Sequence, residues 1–178
     1  MKLELQHGCW CADVRLASWQ GFQSRRGPYG SRDGPLPSDG RVAIGFAPEG
    51  RGTAPLIPSE LALLSWFLEH EPQVSREVMD AIVRWCAPDC DERRARLGDD
   101  MDIGARIVDV ADLRGHIGLH CVHVHQITDR GPPYVGFEFG CDWEEEHGLG
   151  VLMHGTRVVE IGHADTAFLL WIAKADKG

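Results

Sequence analysis

The strongest constraint on this chain is a stretch in which the apolar pattern settles into period two. From Leu119 to Ile161 it runs as Leu119-His-Cys-Val-His-Val-His-Gln-Ile127, Tyr134-Val-Gly-Phe-Glu-Phe-Gly-Cys141, Leu149-Gly-Val-Leu-Met-His154 and Arg157-Val-Val-Glu-Ile161. Alternation of this kind marks strands with one buried face. The connections at 128–133 and at Gly155-Thr156 are too short for crossover helices, so the four runs are predicted to pair as an antiparallel meander over 119–161.

A sheet with one apolar face needs a partner layer. Residues 59–87 supply it as a predicted helix pair: Leu61, Leu64, Trp66, Phe67 and Leu68 before Pro72, then Val78, Met79, Ile82, Val83 and Cys86 at spacings of three and four. Pro72 is expected to end the first helix, because proline removes a helical hydrogen bond, and Pro88 the second. Upstream, Met1 to Gln6 and Asp13 to Trp19 alternate around Gly8 and suggest an opening hairpin. Residues 21–57 read largely as loop with one strand at Arg41–Phe46, and Arg25, Arg26 and Arg32 there fit a solvated basic loop or an anion site. At 178 residues and 43% hydrophobic, the chain has the length of one domain, 1–178. The predicted class is α+β, an antiparallel β-meander packed on one face by a helix pair. Asp89 to Asp102 reads as a charged surface connection, with Asp109 capping a short turn near His116. The stretch from Asp165 to Lys174 fits a helix or a strand equally.

A net charge of −9 argues against a nucleic-acid surface and is compatible with a basic protein partner. The opening residues lack the apolar run of a secretion signal, and the apolar run 167–173 is about a third of the ~20 residues a membrane span requires. Both point to a cytoplasmic setting, where cysteines stay reduced. Cys9-Trp-Cys11 and Cys86-Ala-Pro-Asp-Cys90 are then buried thiols or metal ligands, although neither pair has the two-residue gap of a zinc knuckle.

The segment Tyr134 to Phe168 carries Trp143, Glu146-His147-Gly148-Leu149-Gly150-Val151, Arg157-Val158, Ile161-Gly162 and Ala164-Asp165. In these elements the chain resembles a bacterial family of domains of unknown function, and it departs from the pattern at His163, where a small residue is expected. The resemblance implies a shared fold, small accessory proteins with an immunity-like role among them, and no catalytic residue to carry over.

Two polar clusters follow from threading the meander. With Ile127 opposite Tyr134, His123 lies beside Glu138 and His125 beside Gly136, and the row continues through Val151 and Glu160. The opposite face holds Val122, Val124, Val135, Phe137, Phe139, Leu152, Val159 and Ile161. His123, His125 and Glu138 then form a candidate metal or acid/base set, and a polar solvent face explains the same pattern. At one end of the sheet, Asp142, Trp143, Glu144, Glu145, Glu146 and His147 meet Asp165, with His163, His120 and Cys121 nearby. This acidic rim suits a basic partner or a divalent ion, or is a solvated loop with Trp143 folded back. Nucleophile-elbow, P-loop, dinucleotide and His-Glu-x-x-His motifs are missing from the sequence. The favoured function is therefore a non-enzymatic binding or accessory protein without a cofactor. The alternative is a metal-dependent hydrolase using a divalent metal ion at the His/carboxylate cluster.

Overall fold

The computed structural model describes residues 1–25, 27, 32–87, 107–128 and 131–178. Arg26, Pro88, Cys90 and the charged stretch 89–102 lie outside them. The fold is mixed α+β, built on a seven-stranded, mostly antiparallel sheet. Its strands are β1 (Glu4–Gln6), β2 (Cys9–Arg15), β5 (Arg41–Phe46), β6 (Ile117–Val124), β7 (Tyr134–Cys141), β8 (Leu149–His154) and β9 (Arg157–Gly162), adjacent in that order. A separate hairpin pairs β3 (Gln23–Arg25) with β4 (Arg32–Pro37), inside the stretch expected to be largely loop. In the opening hairpin the second strand is Cys9–Arg15, with a 3-10 turn at Ala17–Trp19, and not Asp13 to Trp19.

The parallel contact of β5 with β6 requires a crossover, and α1 (Pro58–Trp85) lies in it. Here the structure corrects the expected helix pair: α1 is one helix of 28 residues that runs through Pro72. An interior proline costs about 3 kcal/mol. The stripe Leu64, Phe67, Val74, Val78, Ile82 and Trp85 keeps its spacing across the proline, so burying one continuous face offsets the lost hydrogen bond. Glu60 holds its first turn. Ile57 N–H donates to Glu60 Oε2 at 2.8 Å, and the fully buried Glu60 also accepts from Gln126 Nε2 at 2.9 Å. A short α2 (Val110–Arg114) is capped by Asp109, whose carboxylate accepts from Asp112 N–H at 2.9 Å.

Alternation places Ile44, Val122, Val124, Phe137, Phe139, Val151 and Ile161 on the α1 side, where Trp19 and Phe22 complete the main core. The register differs from the threading in two ways. Val124 pairs with Val135 and His123 with Gly136, because β6 ends at Val124, before Ile127; the bulge between Leu119 and Cys121 lies beyond these pairs. Parity survives this two-residue shift, so His123 and Glu138 still share a face. On β8 the slip is one residue: Val151 pairs with Phe137, and Gly150 stands opposite Glu138. Val151 is therefore core, and Leu152 and Val159 pack on the opposite face with Tyr134 and Ile172. A bulge between Leu152 and Met153 turns Val159 around.

That opposite face is covered over β7 and β8 by a 3-10 turn (Ala164–Ala167) and α3 (Leu170–Lys177), which resolves the ambiguous last segment as helical. Gly136 and Gly150 make the close approach: a Cβ on the first would collide with the Ala167 carbonyl, and on the second with the His163 carbonyl. The cover is pinned at its ends. Leu170 N–H donates to Glu49 Oε2 at 2.6 Å, and Asp176 accepts from Tyr134 Oη at 2.9 Å and from Arg157 at 2.6 Å. Over β2 and β5 the same face, with Cys11 and Ala43, stays half-buried.

Candidate functional site

His123 Nε2 lies 2.7 Å from Glu138 Oε2, with the two side chains 13% and 9% exposed. They sit on adjacent strands where the C-terminal cover gives way to the open half of the face, and Phe168 approaches the His123 ring edge-on at 5.3 Å. Burial opposes a charge on His123. Hydrogen bonds donated by its ring to Cys121 and Glu138, with the neighbouring negative charge, outweigh that cost and push its pKa up to about 9. The pair is a near-buried ion pair.

The third member is Cys121. A sulfur, an imidazole nitrogen and a carboxylate oxygen from Cys121, His123 and Glu138 all lie within 4.8 Å of one another. Cys121 stands directly opposite Glu138 and two residues before His123, so period two gives all three the same face. That parity was readable in the sequence. The register, set by β6 ending at Val124 and placing Cys121 rather than His123 opposite Glu138, was not. His120, the extra residue at the bulge, stands close enough to feel both charges. Burial and the neighbouring His123 hold its imidazole below the usual value, against the pull of Glu138.

His125 is placed elsewhere. Fully buried beneath the cover, its neutral ring donates Nε2–H to the Ala167 carbonyl at 3.0 Å. Burial pushes its pKa down to about 4, and its Nδ1 has no hydrogen-bond partner among the described residues. It anchors the 3-10 turn to the sheet and takes no part in the Cys121 cluster.

The rim divides into an inward and an outward part. Asp142 turns inward, paired with the buried Arg25 guanidinium and accepting from Gln23 Nε2 at 2.9 Å, with His116 Nδ1 at 3.3 Å. Trp143 packs against the main core, its indole N–H buried without a partner among the described residues. Glu144 accepts from His147 N–H at 3.2 Å and lies 3.1 Å from His147 Nδ1, with His163 completing a second group of converging donors. Glu145, Glu146, His147 and Asp165 face solvent. An anionic surface thus survives at Glu145, Glu146 and Asp165, while Asp142 is committed to the interior.

The described members of the two expected cysteine pairs do not converge. Cys86 packs in the main core, whereas Cys11 lies on the far face of the sheet beside Gly45. Cys11 is near Cys121: burial first, then the Cys121 and Cys9 sulfurs, push its thiol up. Cys9, Cys11, Cys121 and Cys141 are free thiols.

Residues 36–169 match a family model described as a domain of unknown function. This span contains β5 to β9, α1 and both donor clusters, and leaves out β1 to β3 and α3. No curated protein and no solved structure matches the chain.

Proposed function

The chain belongs to that family, DUF6985, and within it we propose that this protein is a non-enzymatic, immunity-like accessory protein that holds a divalent transition-metal ion with Cys121, His123 and Glu138. The convergence of three different donor types at the half-covered edge of the sheet face carries the reading. Thiolate, imidazole and carboxylate together suit zinc, at bond lengths of about 2.0–2.3 Å. The outward carboxylates Glu145, Glu146 and Asp165 then offer a docking surface to a basic protein, with the net charge of −9 steering the encounter. Among the described residues no helix is long and apolar enough to cross a membrane. A reducing cytoplasm would keep the Cys121 thiol available to the metal.

Cobalt(II), a spectroscopic stand-in for zinc, tests the centre. The parent protein is expected to bind it with a thiolate-to-cobalt charge-transfer band and a raised Tm, because a ligand specific to the native state stabilises it by about 2.7 kcal/mol at a hundredfold excess over Kd. Cys121→Ser should abolish the band. Cobalt addition without a band in the parent would refute the centre.

Three protein donors leave a coordination position open, and His120, whose imidazole burial holds below the usual value, feels the charges of both Glu138 and His123. These two observations favour the second reading, a metal-dependent hydrolase. Hydrolysis of activated esters by the zinc-loaded protein, lost in His120→Gln, would decide for it.

For the rim, Glu145→Gln/Glu146→Gln should leave folding within about 0.5 kcal/mol of the parent, since exposed carboxylates contribute little. Association with a polylysine probe should slow and lose its salt dependence. Unchanged association in the double variant would remove the docking role.

A further inference from the structure

We propose that Glu144, His147 and His163 form a second divalent-metal site, of the two-imidazole, one-carboxylate type that suits zinc and nickel. It goes beyond the Cys121 centre, uses none of its residues, and stands or falls separately.

The turn after β7 presets two of the donors. Gly148 adopts the left-handed region at φ 64° and donates its N–H to the Glu144 carbonyl at 3.0 Å. His147 N–H donates to Glu144 Oε1 at 3.2 Å, which brings His147 Nδ1 to 3.1 Å from the same oxygen. The third donor arrives from the end of β9. Ala164 N–H donates to the His147 carbonyl at 3.0 Å, stitching the start of the C-terminal cover to the turn, and Gly150 leaves room beneath the His163 carbonyl. The His147 and His163 rings then stand 4.8 Å apart, tilted by 51°.

One donor atom from each residue lies within 4.8 Å of the others. Ligand bonds of about 2.0–2.2 Å hold tetrahedral donors about 3.3–3.6 Å apart. The set closes onto an ion by a modest rotation of His147, whose side chain is 58% exposed and free to move. His163 supplies an independent observation. Its Nδ1 is buried and has no hydrogen-bond partner among the described residues. Buried ring nitrogens are rarely left unmet, and a cation at Nδ1 would meet this one. Two imidazoles and a carboxylate are a recurrent ligand set for zinc and related metals. An ion there would clip the acidic turn to the segment that covers the sheet.

The test uses cobalt(II) and zinc(II) on the full chain, in the Cys121→Ser background so that only the rim can respond. Equilibrium dialysis with metal analysis is expected to find one equivalent of cobalt, with d–d absorption and no thiolate charge-transfer band. His163→Gln and His147→Gln should each weaken binding by more than about 100-fold, exceeding the about 10–100-fold loss seen for outer-sphere changes. Uptake unchanged by His163→Gln, or no uptake in the Cys121→Ser background, overturns the site. A failed Cys121 centre with an intact rim would show instead as one equivalent in the parent without the charge-transfer band. If His163→Gln does not fold, zinc titration of the parent followed by imidazole 15N shifts decides: His147 and His163 must both move, and a shift confined to His147 overturns the proposal.

Discussion

Glu138→Ala is expected to destabilise the metal-free protein by about 3–5 kcal/mol, the cost of leaving a buried charge without its partner, or roughly 10 °C in Tm for a chain of this length. The reason is geometric. His123 is 13% exposed, and among the described residues the carboxylate at hydrogen-bond distance from it is Glu138, at 2.7 Å. Replacing both residues by apolar ones, His123→Leu/Glu138→Leu, should recover most of the loss, because no charge is then stranded. The pH dependence carries a definite sign. The His123 pKa is raised from 6.5 to about 9 in the folded protein, so its contribution is complete below 6.5 and is lost as pH rises through 9. On the acid side, His125 is depressed from 6.5 to about 4, and its contribution is present above 6.5 and lost as pH falls through 4. Urea titrations in chelator should therefore give a parent that weakens in both directions. Glu138→Ala should lose the alkaline limb and keep the acid one. A parent equally stable on both sides of pH 9 would contradict the ion pair.

Phe137→Ala should cost a comparable 3–5 kcal/mol, by transfer and cavity terms together. Its ring is fully buried at the centre of the main core, with centroids 5.8 Å from Phe67 on α1, 6.0 Å from Trp19 and 6.4 Å from Phe139. The strand, the crossover helix and the turn after β2 meet there, and no one of them can collapse into the void without moving the other two. Leu5→Ala, at 46% exposure on the edge strand, is the control and should change stability by less than about 0.5 kcal/mol. Calorimetry on the two variants checks the contrast. A loss below 1 kcal/mol for Phe137→Ala would mean that α1 does not close on the sheet through this residue.

What the residues determined by themselves was whatever depends on local period. The α+β class follows from Leu119 to Ile161 switching to period two after the helical stripe. The shared face of His123 and Glu138 follows because a two-residue register shift leaves side-chain parity unchanged. Phe137 and Phe139 fall to the core for the same reason. The tertiary structure decided everything that depends on competition between distant parts. Pro72 argues locally for two helices, and only the sheet, by burying Phe67 and Val78 on one line, makes a single helix the lower free energy. The early end of β6 at Val124 puts Cys121 opposite Glu138, and the one-residue slip on β8 buries Val151, where β7 and β8 pair through a turn that the alternation alone does not measure. His125 leaves its neighbour's cluster because Ala167, 42 residues away, presents a carbonyl beneath the cover. His163 joins Glu144 and His147 because Gly150 admits the turn. Periodicity fixes which way a side chain points, and packing between segments far apart in sequence fixes what it meets.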